Sequence, residues 1–312
     1  MNLKDLLSKR LILISGKGGV GKTTLAVTLA LLAASQKKRV CLVEMNSTER
    51  VAPYFGLEKI GYQELSLAPY ITGINLNPSD CFEEYVLKQI HFKMIFETFI
   101  NNRFVTYFLS AVPGLNELLM IGKIYNLVHK AKGLTRKKPI YDLVIVDGPA
   151  TGHGVSSFEV PQIVNRAVSV GPLKSQSDNI LKLLRDNEKC VFCPVTIGEE
   201  MPAMECVEMV KNIEDKLGIS LGPVFLNDFH VSPFDNDEKE DLMHMEKEAA
   251  LKPFFDYARL KVKRAELNQY YLNFLKKALD NYSIVKIPHI EGFEPRISLL
   301  GSVVEQISKT GL

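Results

Sequence analysis

The sequence predicts a doubly wound α/β fold, a mostly parallel sheet with helices on both faces and a helical insertion. Three observations carry that prediction. Short β-rich apolar runs alternate with longer helical patterns along the chain. Several runs are apolar on consecutive residues, such as Val144-Ile145-Val146 and Val224-Phe225-Leu226, which marks strands covered on both faces. The first run hands over to a helix through a glycine-rich stretch, SGKGGVGKTT, from Ser15 to Thr24.

In chain order the strands are expected at 11–15, 40–44, 71–76, 142–147, 190–196, 221–227 and 284–288. Helices are expected at 22–35, 175–187, 201–217 and 297–307. Two regions break the alternation. Residues from Asp80 to about Lys132 offer no convincing strand and many large apolar side chains, which reads as a helical subdomain inserted at about 80–133. From Asp237 to Asp280, apolar residues including Tyr257, Leu260, Leu267, Tyr271 and Phe274 follow a three-four rhythm. That rhythm implies one or two long helices, kinked or split at Pro253, whose apolar stripe packs on the sheet, the alternative being a partner-binding coil. The whole chain, 1–312, is expected to be a single domain.

The chain has 312 residues, 46% hydrophobic and 24% charged, with a net charge of +2, so bulk charge points to neither nucleic acid nor an acidic membrane. Five scattered cysteines fit reduced thiols in a cytoplasmic protein. The apolar run Leu11–Ile14 is too short for a signal peptide, and no run approaches the roughly 18–20 residues of a membrane span.

Gly16 to Thr23 fits G-x-x-x-x-G-K-[ST]. Gly16, Gly18, Gly19 and Gly21, with Val20 between them, let successive backbone N–H groups turn inward and approach phosphate oxygens. The helix that starts near Lys22 adds its positive end. Lys22 is expected to reach the β- and γ-phosphates, the Thr23 hydroxyl to ligate Mg²⁺, and Thr24 to complete the cradle for ATP. Further on, YDLVIVDGPATGHG places Asp147 at the end of a buried strand, where a carboxylate can hold Mg²⁺ through water.

The loop GKGGVGKT has a second, early lysine and resembles the deviant Walker A of the superfamily of ParA, MinD, the nitrogenase iron protein and ArsA. The resemblance implies that Lys17 reaches across a homodimer to the partner's nucleotide; the alternative is a solvated loop lysine. Asp147 followed by Thr151-Gly152-His153 narrows the resemblance to the ArsA and guided-entry ATPases, which handle arsenite or target tail-anchored proteins. VPGLNELL (Val112–Leu119), FLND (Phe225–Asp228) and VKIPHIEGFEP (Val285–Pro295) resemble further segments of that family, in the same order. The resemblance implies that Asn227 recognises adenine, that Pro288 lies over the base, and that His153 is either a switch residue or an ordinary loop histidine.

The chain also departs from the family. Its first switch reads LVEMNSTERVAPYFG, so Glu44 stands where the family has an Asp, and Glu49 is the other carboxylate available to orient water. Ala111 and Val112 occupy the neighbourhood of the arsenite-binding cysteines, which sets anion pumping behind a targeting or regulatory role. The lone C-x-x-C, Cys190 to Cys193, falls in a strand whose alternation puts the two thiols on opposite faces. Ile90–Leu109 is rich in Phe, Met and Ile; it is either a groove for a hydrophobic client or regulatory partner, or ordinary core. Taken together, the expectation is a homodimeric Mg²⁺-dependent ATPase acting as a nucleotide switch, with no nucleic-acid partner and no integral membrane segment. A ParA/MinD-type positioning ATPase and an arsenite-pump subunit are the alternatives.

Overall fold

The computed structural model describes residues 1–45, 48–89, 114–132, 138–150, 154–244, 251–292 and 296–309. Its first half contains α1 (Leu3–Ser8), β1 (Leu11–Gly16), α2 (Lys22–Ser35), β2 (Val40–Met45), β3 (Leu65–Ala68), β4 (Ile71–Leu76), α3 (Pro78–Gln89) and α4 (Leu115–His129). There follow β5 (Ala131–Lys132), β6 (Lys138–Pro139), β7 (Leu143–Ala150), α5 (Gly154–Ala167), α6 (Pro172–Leu184), β8 (Cys190–Ile197) and α7 (Glu200–Asn212). The last are β9 (Val224–Phe229), α8 (Asn236–His244), α9 (Lys252–Ala278), β10 (Ile284–Pro288) and α10 (Ile297–Lys309).

Eight strands form one sheet in the order β10-β9-β8-β1-β7-β2-β4-β3. All neighbours run parallel except the edge pair β3 and β4. The expected doubly wound sheet is therefore present. Alternation along β1 feeds two cores: Leu11 and Leu13 face α4 to α7, and Ile12 and Ile14 face α1, α2 and α10. Parallel strands buried on both faces need continuous apolar runs, and β1 and β2 are buried along their whole lengths. No described helix is long and apolar enough to cross a membrane.

Several elements differ from expectation. β9 begins at Val224, and Leu221 reaches the sheet only through a bridge to Phe192. Pro223, just before the strand, has no N–H to give a ladder. The helix expected to end at Leu217 leaves α geometry at Asn212 and closes in a π turn, Ile213–Leu217. α5 forms with Pro161 inside it, a residue that obscures the helical pattern in the sequence. Pro253 sits in the first turn of α9, where a missing N–H costs nothing.

The stripe expected to pack on the sheet is partly wrong. Tyr257, Leu260 and Leu267 are exposed, whereas Val262, Ala265, Asn268, Leu272 and Leu275 form the buried face of α9. The hydrophobic stretch Ile90–Leu109, Thr151-Gly152-His153, Ala111 and Val112 lie outside the described residues.

Two contacts give measurable expectations. Phe158 on α5 meets Phe192 on β8 edge-on, 6.1 Å between ring centres, and both are fully buried. Phe158→Ala should lower stability in urea unfolding by about 3–5 kcal/mol. Asp142, just before β7, accepts hydrogen bonds from the Arg39 backbone N–H and from Nε and Nη2 of its guanidinium, at 2.9, 2.9 and 2.6 Å. Those bonds hold the Asp142 carboxyl down at about 2. A depressed carboxyl stabilises the fold above its unfolded pKa and loses that contribution as pH falls through the folded one. The side chain is over a third exposed, so solvent screening leaves the pair worth about 1 kcal/mol. Asp142→Asn should therefore melt earlier than the parent chain at pH 6, and the gap should close between pH 4 and pH 2.

Candidate functional site

β1 lies between β7 and β8, so its loop leaves the sheet where both neighbours also end, with Gly16 level with Ala150 and Val195. The glycines divide by role. A Cβ at Gly16 would sit 2.1 Å from the Val195 carbonyl oxygen, and one at Gly21 would sit 2.1 Å from Asn227 Nδ2. Gly19 and Gly21 also take left-handed φ values of 86° and 90°. Gly18 and Gly19 have open space where a side chain would be, so one side of the loop faces outward without obstruction. Gly21 caps α2 without a side-chain bond, which leaves the first N–H groups of the helix for a ligand.

Lys22 is buried, and its ammonium donates to the Lys17 carbonyl at 2.9 Å, folded back onto the loop that it serves. Burial pushes its pKa down; Asp147 opposes that shift and Arg50 adds to it. Thr23 Oγ1 donates to Asp147 Oδ2 at 2.5 Å. Asp147 is itself buried, and burial raises its pKa against the pull of Thr23, Lys22 and Arg50. Its other oxygen, Oδ1, is buried with no hydrogen-bond partner among the described residues. A hydroxyl and a carboxylate with one oxygen unused form an all-oxygen donor set, which fits a hard cation such as Mg²⁺.

The two candidate water-orienting carboxylates part company. Glu44, one residue before the end of β2, is in direct register with Asp147 and is buried; its Oε1 accepts the Arg50 N–H at 2.8 Å. Glu49 is spent on its own loop, accepting the Ile60 and Gly61 N–H groups at 2.9 and 3.0 Å. Lys17 turns towards α7 of its own chain, where it pairs with Glu205, both side chains about a third exposed.

Asn227 and Pro288 do come together. They line one cavity of about 250 Å³ with Gly19, Gly21, Thr24 and Ile197, beside the phosphate loop. The Asn227 amide also donates to the Val20 carbonyl at 3.0 Å, so it braces the loop as well as facing the cavity. Thr24 shares a 2.7 Å hydrogen bond with the Tyr54 hydroxyl. Arg50, Tyr54 and Glu205 belong to the site's surroundings but have no motif spacing that a sequence could reveal. Cys190 and Cys193 face opposite cores, fully buried, with burial pushing both thiols up, so they do not converge on a common ligand.

Comparison with known proteins matches residues 9–182 to the family described as anion-transporting ATPase. ATPase BagA of Mycobacterium tuberculosis is 30% identical over 223 residues, covering 70% of this chain and 64% of BagA. The chain thus spans a little under two thirds of that relative. ATPase GET3 of Malassezia globosa is 21% identical over 322 residues, covering 92% of this chain and 87% of that protein. ATPase ASNA1 homolog 2 of Paramecium tetraurelia is 26% identical over 176 residues, covering 54% of this chain and 50% of that protein. Since the family match takes in more than half of the sequence and the whole phosphate side of the site, the chain belongs to the anion-transporting ATPases, the ArsA family.

Proposed function

We propose that the chain hydrolyses ATP with Mg²⁺ and works as a homodimeric nucleotide switch. The observation that carries this reading is the hydrogen bond from Thr23 to the buried Asp147 under the phosphate loop, with Asp147 Oδ1 left without a hydrogen-bond partner among the described residues. ATP lies with its phosphates on Gly16 to Thr24 and its base in the cavity walled by Asn227 and Pro288. Lys22 leaves the Lys17 carbonyl and turns its charge to the β- and γ-phosphates. Thr23 and Asp147 hold the cation, which when bound neutralises charge that develops on the phosphoryl group.

Glu44 orients the attacking water, because it is buried in register with Asp147, whereas Glu49 clasps Ile60 and Gly61. Lys17 serves the partner's nucleotide, which requires it to leave Glu205 as two copies close. The segment Ile90–Leu109 takes a hydrophobic client or regulatory partner, a reading supported by its composition and by the family resemblance. The buried, unpaired cysteines support a cytoplasmic setting.

Lys22→Ala should weaken ATP binding at least about tenfold by calorimetry, since it removes a charge-assisted contact. Asp147→Asn should leave Mg²⁺-free ATP binding within a few fold and lower phosphate release by about a hundredfold or more. Unchanged turnover in Asp147→Asn would overturn the assignment.

Action across the dimer has its own test. Lys17→Ala should bind ATP normally and hydrolyse it about a thousandfold more slowly. Mixed with Asp147→Asn, it should recover about one quarter of the parent rate, because half of the random dimers are mixed and half of their sites are complete. No recovery, with dimers verified by mass, would place Lys17 in its own chain's site.

A further inference from the structure

A second cluster of ligating side chains lies at the edge of the base cavity, with Asp228 and His289 in the cavity wall and His230 behind them. Asp228, His230 and His289 each offer one atom, and these atoms all lie within 4.8 Å of one another. His289 Nδ1 is 2.6 Å from Asp228 Oδ1, and His230 Nε2 is 3.6 Å from Asp228 Oδ2. The two imidazoles stack with ring centres 4.1 Å apart.

The backbone builds this convergence. β9 and β10 pair Leu226 with Lys286 and Phe229 with Pro288, so Asn227 and Asp228 together face the single residue Ile287. That extra residue is a β-bulge, and Asp228 occupies it with a left-handed φ of 55°. A bulge re-aims a side chain, here towards the end of β10. The main chain is pinned at both histidines: the His230 backbone N–H donates to Asn268 Oδ1 at 2.8 Å, Asn268 Nδ2 donates to the Gly198 carbonyl at 3.2 Å, and the His289 backbone N–H donates to the Phe229 carbonyl at 3.1 Å. These bonds fix where the two residues sit and leave the rings free to rotate towards an ion.

Four-coordinate N/O sites with bonds of about 2.0–2.1 Å place their ligand atoms about 3.4 Å apart, so modest ring rotations bring these three groups into register. Two imidazoles and one carboxylate suit a borderline divalent metal such as Zn²⁺, and are softer than the all-oxygen set at Thr23 and Asp147. Of the nearby cations, Lys261, which lines the same cavity as His230 and His289, is already paired with Glu291.

We propose that Asp228, His230 and His289 form a site for a borderline divalent metal of the Zn²⁺ class, with at least one position open to water, that staples the ends of β9 and β10. Asp228 and His289 line the base cavity beside Asn227 and Pro288, so an ion here stiffens the wall that receives the base. The site itself does not depend on the nucleotide reading.

The test uses the full chain, stripped with chelator and free of nucleotide, with Co²⁺ as a spectroscopic probe and Zn²⁺ as competitor. The expected result is one Co²⁺ per chain with ligand-field bands, displaced by one equivalent of Zn²⁺, and a higher melting temperature with Zn²⁺ bound. His289→Ala and Asp228→Asn are partly exposed positions that should keep the metal-free melting temperature and lose at least about thirtyfold in affinity. Asp147→Asn should bind like the parent chain. Co²⁺ binding weaker than about 1 mM in the parent, equal affinity in His289→Ala, or loss of the bands in Asp147→Asn instead would overturn the site.

Discussion

Everything at the phosphate loop is arranged around a carboxylate kept out of water. Asp147 sits within β7, next to the central strand β1, where Thr23 gives it one hydrogen bond and Lys22 a nearby charge. Burying an ionised carboxylate is costly unless it is paired and hydrogen-bonded. The same desolvation pushes the Lys22 ammonium towards its neutral form while pushing Asp147 towards protonation. Each group is therefore better satisfied by a ligand that brings its own opposite charge. The loop is preorganised for a polyanion and a cation together, and less well suited to either alone.

The sheet order explains why these groups meet. β1 is central, with β7 and β2 on one side and β8, β9 and β10 on the other. The phosphate side of the site comes from β1, β2 and β7, all within the segment matched to the family. The base side comes from β8, β9 and β10, beyond that segment. The boundary falls between a glycine loop of fixed geometry and the cavity wall that later strands place beside it.

Much of this was legible in the sequence because it is local. Consecutive apolar residues mark doubly covered strands, and loop glycines are needed where a Cβ would strike Val195 or Asn227. Asp147 could be found because it ends an apolar run. What stayed hidden depends on distant partners. Glu44 and Glu49 are alike as letters, and only the strand register separates a buried neighbour of Asp147 from a clasp on Gly61. Glu205 as the partner of Lys17 is set by where α7 packs. The exposed Tyr257, Leu260 and Leu267 follow helical spacing as well as the core-packed Tyr271 and Phe274 do, so periodicity alone did not separate the two faces of α9. The Asp228 cluster depends on one extra residue in β9, which has no sequence signature when the third ligand is 59 positions past His230.

The five cysteines add a property of another kind. All are free thiols in the core, and burial raises every one of them above its ordinary value. Since the thiolate is the reactive form, alkylating reagents and oxidants find almost nothing to attack while the core stays closed. Modification then proceeds through transient openings of the fold, and the speed of labelling at each position becomes a gauge of how often that part of the interior breathes. Cys41 and Cys193 face opposite layers of the sheet, so together they would register motion in both halves of the core.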